Sequence, residues 1–379
     1  MENFIVSARK YRPAKFLDVV GQEQVSETLK KALSSGKLAQ SFLFCGPRGV
    51  GKTTCARILA KAINCENPSA DFEPCNECNS CISFSQNASF NIFELDAASN
   101  NSVDDIRALV EQVRFAPQSG KYKVYILDEV HMLGASAFNA FLKTLEEPPS
   151  YAIFILATTE KHKIIPTILS RCQIFDFKRI SDKDIVKQLQ KICDNEGVTA
   201  EPSALHVIAQ KADGGLRDAL SLFDKIVSYA GKKLTYQDVI KNLNILDHDY
   251  YFKVTEYFMI EDASSVLMAF NEIINNGFDG EMFLQGLAAH FRNLLICKDV
   301  KTSTLLEVAD DVKENYLNQA KLVNETFLLN ALNAINQCDI DYKTAKNKRL
   351  LVELTLLKIC FLNTQIENTL SIILGEKKN

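Results

Sequence analysis

The segment Gly46-Pro47-Arg48-Gly49-Val50-Gly51-Lys52-Thr53 constrains what this chain can fold into more than any other. It fits the pattern GxxxxGK[ST], a loop that curls its backbone N–H groups around an anion and passes that anion to a helix N-terminus. Such a loop needs a buried strand before it and a helix after it. Residues 42–45 read as a short apolar strand and 53–63 as a helix, so the context is met. Lys52 is expected to neutralise β and γ phosphates and Thr53 to offer its hydroxyl to Mg²⁺, with Thr54 next in the cradle. The bland alternative, a glycine turn before an ordinary helix, is disfavoured by the complete motif in this context.

The motif needs acidic partners, and Val124-Tyr125-Ile126-Leu127-Asp128-Glu129 supplies them at the C-terminal end of an apolar run. In open α/β sheets ligands bind at that edge. Asp128 is expected to hold magnesium directly or through water, and Glu129 to orient and polarise an attacking water. The expectation is binding, and hydrolysis, of a nucleoside triphosphate with Mg²⁺.

Around these motifs, apolar runs at 42–45, 92–95, 124–127, 152–157 and 174–177 alternate with helical patterns at 53–63, 102–114 and 136–145. That alternation predicts a parallel sheet covered by helices, an αβα sandwich. The stretch Glu146-Glu147-Pro148-Pro149 closes the last helix, because proline cannot continue it. From 181 the pattern is helical only: a small bundle to 245, opened by Ser181-Asp182-Lys183-Asp184, then long amphipathic stretches over 246–365 and a polar tail, 366–379.

With 379 residues, 47% hydrophobic and 24% charged, the chain has the composition of a folded multidomain protein rather than a disordered one. Its net charge of −4 demands no polyanion, so any nucleic-acid site must be local. Residues 1–63 carry eleven Lys and Arg against four Asp and Glu, whereas 64–120 carry two against nine, which supports a DNA-facing surface only modestly. No apolar stretch is long enough for a membrane span, and Met1-Glu2-Asn3-Phe4 does not open a signal peptide, so a cytoplasmic location without membrane contact is expected.

Of eleven cysteines, four cluster as Cys65-x9-Cys75-x2-Cys78-x2-Cys81 in what reads as a polar loop. Two overlapping CxxC pairs and a fourth thiol suit a closed, structural, tetrahedral Zn²⁺ site. Iron–sulfur ligation is the competing reading, and the lack of a further redox motif favours zinc. The other seven (Cys45, Cys55, Cys172, Cys193, Cys297, Cys338, Cys360) sit among apolar neighbours and read as small buried hydrophobes.

Several further segments make the chain similar to AAA+ clamp-loader ATPases. They are Ala8-Arg9-Lys10-Tyr11-Arg12-Pro13 with Phe16-Leu17-Asp18-Val19-Val20-Gly21-Gln22; Asp128 to Leu133; Phe138 to Pro149; and Ser170-Arg171-Cys172. With the cysteine module after the first helix, the resemblance narrows to the bacterial DNA polymerase III gamma/tau family. It covers the whole chain, strongly over 1–245 and weakly beyond.

The resemblance implies an AAA+ domain over 1–180 with a zinc module inserted at 65–81, a helical lid over 181–245 and a helical collar for oligomerisation over 246–365. It implies that the ligand is ATP and that Ala8, Arg9, Tyr11, Arg12, Pro13, Val19 and Val20 line the adenine and ribose pocket. Thr159 corresponds to the first sensor of the γ-phosphate, with Thr158 as the adjacent alternative, and Arg217 to the second sensor in the lid. Arg171 corresponds to the arginine finger that completes a neighbouring subunit's site, while His131 is given no catalytic role. The implied partners are further copies of the chain, delta and delta-prime subunits, the sliding clamp and primer-template DNA. Polymerase chemistry would belong to the holoenzyme. The rival readings are another AAA+ machine, such as a helicase loader or branch-migration motor, and a non-catalytic delta-prime-like scaffold; the intact Gly51-Lys52-Thr53 and Asp128-Glu129 weigh against the scaffold. Gln40 stands where many relatives carry histidine, with no functional loss expected. Long family members continue past the collar into domains that contact helicase and polymerase, and those contacts are not expected of residues 1–379.

Overall fold

The computed structural model describes residues 5–364 apart from 118–119, 244, 300, 307 and 309. The expected tail, 366–379, lies outside the described residues. The chain divides into two compact units, 1–235 and 236–379.

The first unit is built on five parallel strands: β1 Ser41–Cys45, β2 Ile92–Asp96, β3 Lys123–Asp128, β4 Ala152–Thr158 and β5 Gln173–Asp176, in the order β2-β3-β4-β1-β5. All five match the expected apolar runs to within a residue at each end. Strand β1 pairs with β4 and β5, setting Leu43 opposite Leu156 and Ile174. Successive side chains point to opposite faces. Phe42 and Phe44 therefore enter one core with Val124, Ile126 and Ile155, while Leu43 and Cys45 enter another with Tyr125, Leu127 and Leu156.

Helices cover both faces of the sheet and continue beyond it. They are α1 Ser7–Lys10, α2 Glu23–Ser34, α3 Lys52–Asn64, α4 Asn79–Ser85, α5 Val103–Val113, α6 Ala135–Glu146, α7 Pro166–Leu169, α8 Asp182–Glu196, α9 Pro202–Lys211 and α10 Leu216–Ala230. Buried residues of α2 and α3 fill the first core, and those of α5, α6 and α7 the second. This is the expected αβα sandwich. A two-stranded parallel ribbon, Thr199–Ala200 with Lys233–Leu234, joins the lid helices. Ser181 caps α8 as its sequence predicts, its hydroxyl accepting from the Asp184 N–H at 3.2 Å.

Two differences stand out. Residues 79–85, expected as part of a polar loop, form helix α4, because Cys81 and Phe84 one turn apart both turn inward. The compact units meet at 235/236 rather than after 245, and 181–235 falls in the same unit as the sheet. Helix α11, Tyr236–Leu243, belongs with the second unit, where Asp247 accepts from the Tyr236 hydroxyl at 3.4 Å.

The second unit is helical: α11, then α12 His248–Met259, α13 Ala263–Asn275, α14 Gly280–Ile296, α15 Asp310–Leu322, α16 Glu325–Tyr342 and α17 Lys348–Cys360. Asp247, Asp262, Asp279, Asn324 and Asn347 each place a side-chain oxygen on a free N–H at a helix start, which fixes five boundaries. Phe258, Phe270, Phe283, Phe291 and Phe327 dominate its single core.

Candidate functional site

Strand β1 ends at Cys45, and Gly46 turns the chain with φ +149°. A Cβ there would stand 2.5 Å from the Phe177 carbonyl oxygen, so only glycine fits. Lys52 opens α3 with 5% of its surface exposed, its ammonium donating to the carbonyls of Gly46 at 2.8 Å and Pro47 at 2.7 Å. Burial lowers its pKa, and the nearby Glu129 and Asp128 carboxylates act the other way. The Thr53 hydroxyl donates to Asp128 Oδ2 at 2.5 Å, tying the start of α3 to the end of β3.

Asp128 Oδ1 accepts from the Glu129 N–H at 2.9 Å. Glu129 has φ +49° and ψ 43°, a left-handed conformation that costs a non-glycine residue on the order of 1–3 kcal/mol. Its carboxylate accepts from the Thr159 hydroxyl at 3.1 Å. Thr158 is fully buried, and its hydroxyl accepts from the Glu160 N–H at 3.0 Å and meets His131 Nδ1 at 3.1 Å. Of the two candidate sensors, Thr159 is thus the one in contact with Glu129. His131 lies 3.4 Å from both the Glu129 and Glu160 carboxylates.

One cavity gathers the loop with Asp128 and Glu129, while Thr158, Thr159 and His131 stand outside its lining. It is lined by Arg48, Gly49, Val50, Gly51, Lys52, Thr53 and Thr54, by Asp128 and Glu129, by Ala8, Tyr11, Arg12, Pro13, Val19 and Val20, and by Ile180, Leu216, Arg217 and Leu220. Gly46 and Pro47 contribute the carbonyls that hold Lys52 rather than lining. Arg9 lies outside this lining, in an adjoining cavity with Arg12, Arg57, Lys61 and Arg217. Arg12 sits where burial and the cations Arg57, Arg217 and Arg9 lower its pKa. Sequence reasoning missed Ile180, Leu216 and Leu220; the signal was there, since two apolar residues flank Arg217 at one helical turn.

Lid helix α10 reaches the loop because a glycine, Gly215, precedes its first residue. A Cβ on Gly215 would meet Asp218 Oδ2 at 2.9 Å and the Arg48 carbonyl at 3.2 Å, and the Arg217 N–H donates to the Gly49 carbonyl at 3.3 Å. The N-terminal segment is tied to the same lid: Asp224 accepts from the Ser7 N–H at 2.7 Å and from its hydroxyl at 2.5 Å, and Glu196 accepts from Lys10 and Tyr11. Arg171 is absent from the cavity lining. It follows α7, with its guanidinium on Glu146 Oε1 at 2.7 Å and the Thr167 carbonyl at 2.7 Å.

The thiols of Cys65, Cys75, Cys78 and Cys81 all lie within 4.8 Å of one another. A tetrahedron of Zn–S bonds of about 2.3 Å has edges of about 3.8 Å, so the donor set fits that ion. Backbone N–H groups already point at the sulfurs: Cys65 Sγ accepts from Cys75 at 3.3 Å, and Cys75 Sγ from Glu77 at 3.4 Å and Cys78 at 3.2 Å. The bonds from the Glu77 and Cys78 N–H groups, Glu77's first, draw the Cys75 thiol down to about 6, toward the thiolate a metal requires. Six of the remaining seven cysteines are buried and Cys172 is half-buried; burial pushes Cys55 and Cys172 up to about 12.

Family models described as DNA polymerase III delta subunit, DNA polymerase III clamp loader subunit ATPase lid domain, and DNA polymerase III subunits gamma and tau domain III match residues 21–181, 184–232 and 234–372 respectively. The chain is 43% identical over 355 residues to DNA polymerase III subunit tau of Bacillus subtilis, covering 93% of this chain and 62% of that one. It is 43% identical to the Escherichia coli tau subunit over 282 residues, 74% of this chain and 44% of that one. Against DNA polymerase III subunit gamma of Buchnera aphidicola it is 34% identical over 369 residues, which is 96% of this chain and 98% of the relative. Identity sustained over nearly the whole of both chains places this one: it belongs to the family of DNA polymerase III gamma and tau subunits.

Proposed function

We propose that this chain is an ATPase motor subunit of a bacterial replicative clamp loader, using ATP binding and hydrolysis to open a sliding clamp and load it on primer-template DNA. One observation carries the ATPase reading. A single cavity is lined by the phosphate loop, by Asp128 and Glu129 and by lid residue Arg217. In this reading Lys52 and the loop N–H groups bind the phosphates, Glu129 orients the attacking water with Thr159 holding its carboxylate, and Arg217 senses the phosphates from the lid. Thr53 and Asp128 hold the magnesium ion, which when bound offsets phosphate charge. Ala8, Tyr11, Arg12, Pro13, Val19 and Val20 take the base and sugar. Arg171, outside its own chain's cavity, acts on the site of a neighbour.

The four cysteines hold a structural zinc ion. Residues 181–235 act as the lid, and the helical unit that follows serves as the collar, extending the lid and gamma and tau domain III matches. The partners are other copies, delta and delta-prime subunits, the clamp and DNA, in the cytoplasm. Among the described residues no helix is long and apolar enough to cross a membrane. ATP turnover of the chain mixed with delta and delta-prime, with and without clamp and primed DNA, tests the proposal. Strong stimulation that needs both ligands is expected; turnover indifferent to both would leave an AAA+ ATPase with a different client.

A further inference from the structure

The side chain of Glu73 lies in the cysteine module, yet every bond it makes leaves that module. Oε2 accepts from the Phe16 N–H at 2.7 Å, and Oε1 from the Leu17 N–H at 3.1 Å and from Lys30 on α2 at 2.5 Å. Residues Phe16–Asp18 form one 3₁₀ turn whose preceding residue, Lys15, provides no side-chain cap. The first N–H groups of such a turn have no partners within it. Glu73, 7% exposed, therefore caps the turn from 57 residues away. Asn76 adds a second link, donating to the Ala14 carbonyl at 3.4 Å and accepting from Lys61 on α3 at 2.8 Å.

The turn leads straight into Val19 and Val20, both of which line the nucleotide cavity. Val19 is buried, and its Cγ1 stands 3.7 Å from where a Cβ on Gly51 would lie. On the other side, the path of the module is set by the thiol cluster. The Cys75 N–H donates to Cys65 Sγ at 3.3 Å, and the Ser69 N–H closes on the Glu73 carbonyl at 3.0 Å, so closure of the four sulfurs fixes where Glu73 stands.

We propose that Glu73 is a positioning residue through which the four-cysteine centre sets the base-side wall of the nucleotide cavity: the closed sulfur cluster holds Glu73, Glu73 caps the 16–18 turn, and the turn fixes Val19 and Val20. This rests on the nucleotide reading of the cavity. Because Glu73 reaches the wall and not the phosphate loop, its loss weakens ATP and ADP alike, which distinguishes it from a group that reads the γ-phosphate.

The test is titration of the full, metal-loaded chain with MgATP and MgADP, alongside its metal content and melting temperature. For Glu73→Ala, both nucleotides are expected to weaken by a similar factor, on the order of tenfold, with zinc retained. Glu73→Gln keeps one acceptor oxygen and is expected to fall between that variant and the parent; it decides the matter if Glu73→Ala does not fold. Chelating the metal from the parent chain should give a loss of similar size, with no further loss in Glu73→Ala, since both act along one path. Zinc-retaining variants with unchanged affinity, or losses that add, overturn the proposal. A parent chain that binds no ATP, or a Lys52→Ala variant that binds as the parent does, removes instead the nucleotide reading on which it rests.

Discussion

Lys52 is nearly buried, and in the structure its ammonium is held by two carbonyls of its own loop. That arrangement stores a cation where burial disfavours it, so an anion entering the loop gains a charge-assisted bond at little reorganisation cost. Lys52→Ala is accordingly expected to weaken ATP by at least 100-fold, about 3 kcal/mol, with the fold intact; calorimetric titration showing near-parental affinity would contradict the phosphate-loop reading. At this scale the sequence was most legible where chemistry is local. The residues from Arg48 to Thr54 stand together because a strand end and a helix start are adjacent in the chain, and the Asp128-Glu129 pair joins them because β3 runs parallel to β1 and ends at the same edge of the sheet. What spacing could not reveal was which neighbours face inward. Arg9 points to the adjoining cavity, and Ile180, Leu216 and Leu220 join the lining only because a glycine-started lid helix folds back on the loop.

At the scale of elements, β1, β3 and β4 were legible because they are buried along nearly their whole length and so almost entirely apolar, and edge strands β2 and β5, half-exposed and carrying Glu94, Asp96, Gln173 and Asp176, showed only through their apolar residues, whereas α2 and α4 escaped notice. Helix α2 buries Val25, Ser26 and Leu29 and half-buries Leu33, a thin stripe in a polar segment, and α4 is a seven-residue helix whose cysteines looked like loop ligands. Helix α4 carries Cys81 into the thiol cluster and Cys78 immediately precedes its first residue, so metal and helix should stand or fall together. Cys78→Ser is expected to release the metal and loosen residues 65–85, read by elemental analysis and by faster amide exchange there; iron, or no metal, in the parent chain would overturn the zinc assignment. In the helical unit, His290 of α14 is buried against Tyr316 and Gln319 of α15, at 3.1 and 2.9 Å. Burial drives its pKa down to about 3, against an unfolded value of about 6.5. The folded chain therefore binds fewer protons than the unfolded one between those values, so the stability it contributes is full above pH about 6.5 and declines as pH falls toward 3, by up to about 1.4 kcal/mol per pH unit. Urea unfolding across this range should show that acid slope, and His290→Gln should flatten it; an unchanged slope would mean His290 is not held neutral.

At the scale of the molecule, the two units have separate cores, the first flanking a sheet and the second purely helical. The change from alternating strands and helices to helices alone was visible in the sequence. The position of the break was not, because α11 is amphipathic enough to suit either side and only its contacts assign it to the second unit. Arg171 belongs to this scale because its own chain gives it nothing catalytic to do. It sits after α7, absent from the cavity lining, with its guanidinium on Glu146. Such a half-exposed ion pair is worth about 1 kcal/mol or less, so a neighbouring subunit's phosphates could draw the guanidinium away at small cost. Arginine's planar, permanently charged fork suits the charge that spreads over the γ-phosphoryl oxygens. Arg171→Ala is therefore expected to leave ATP affinity within about twofold of the parent, while lowering turnover stimulated by assembly by a factor on the order of 10³ to 10⁵. The measurement is steady-state hydrolysis of the variant mixed with delta, delta-prime, clamp and primed DNA. Because the deficit lies between subunits, the variant alone should hydrolyse ATP at the parent's unassembled rate, and an unchanged stimulated rate would remove Arg171 from the reaction.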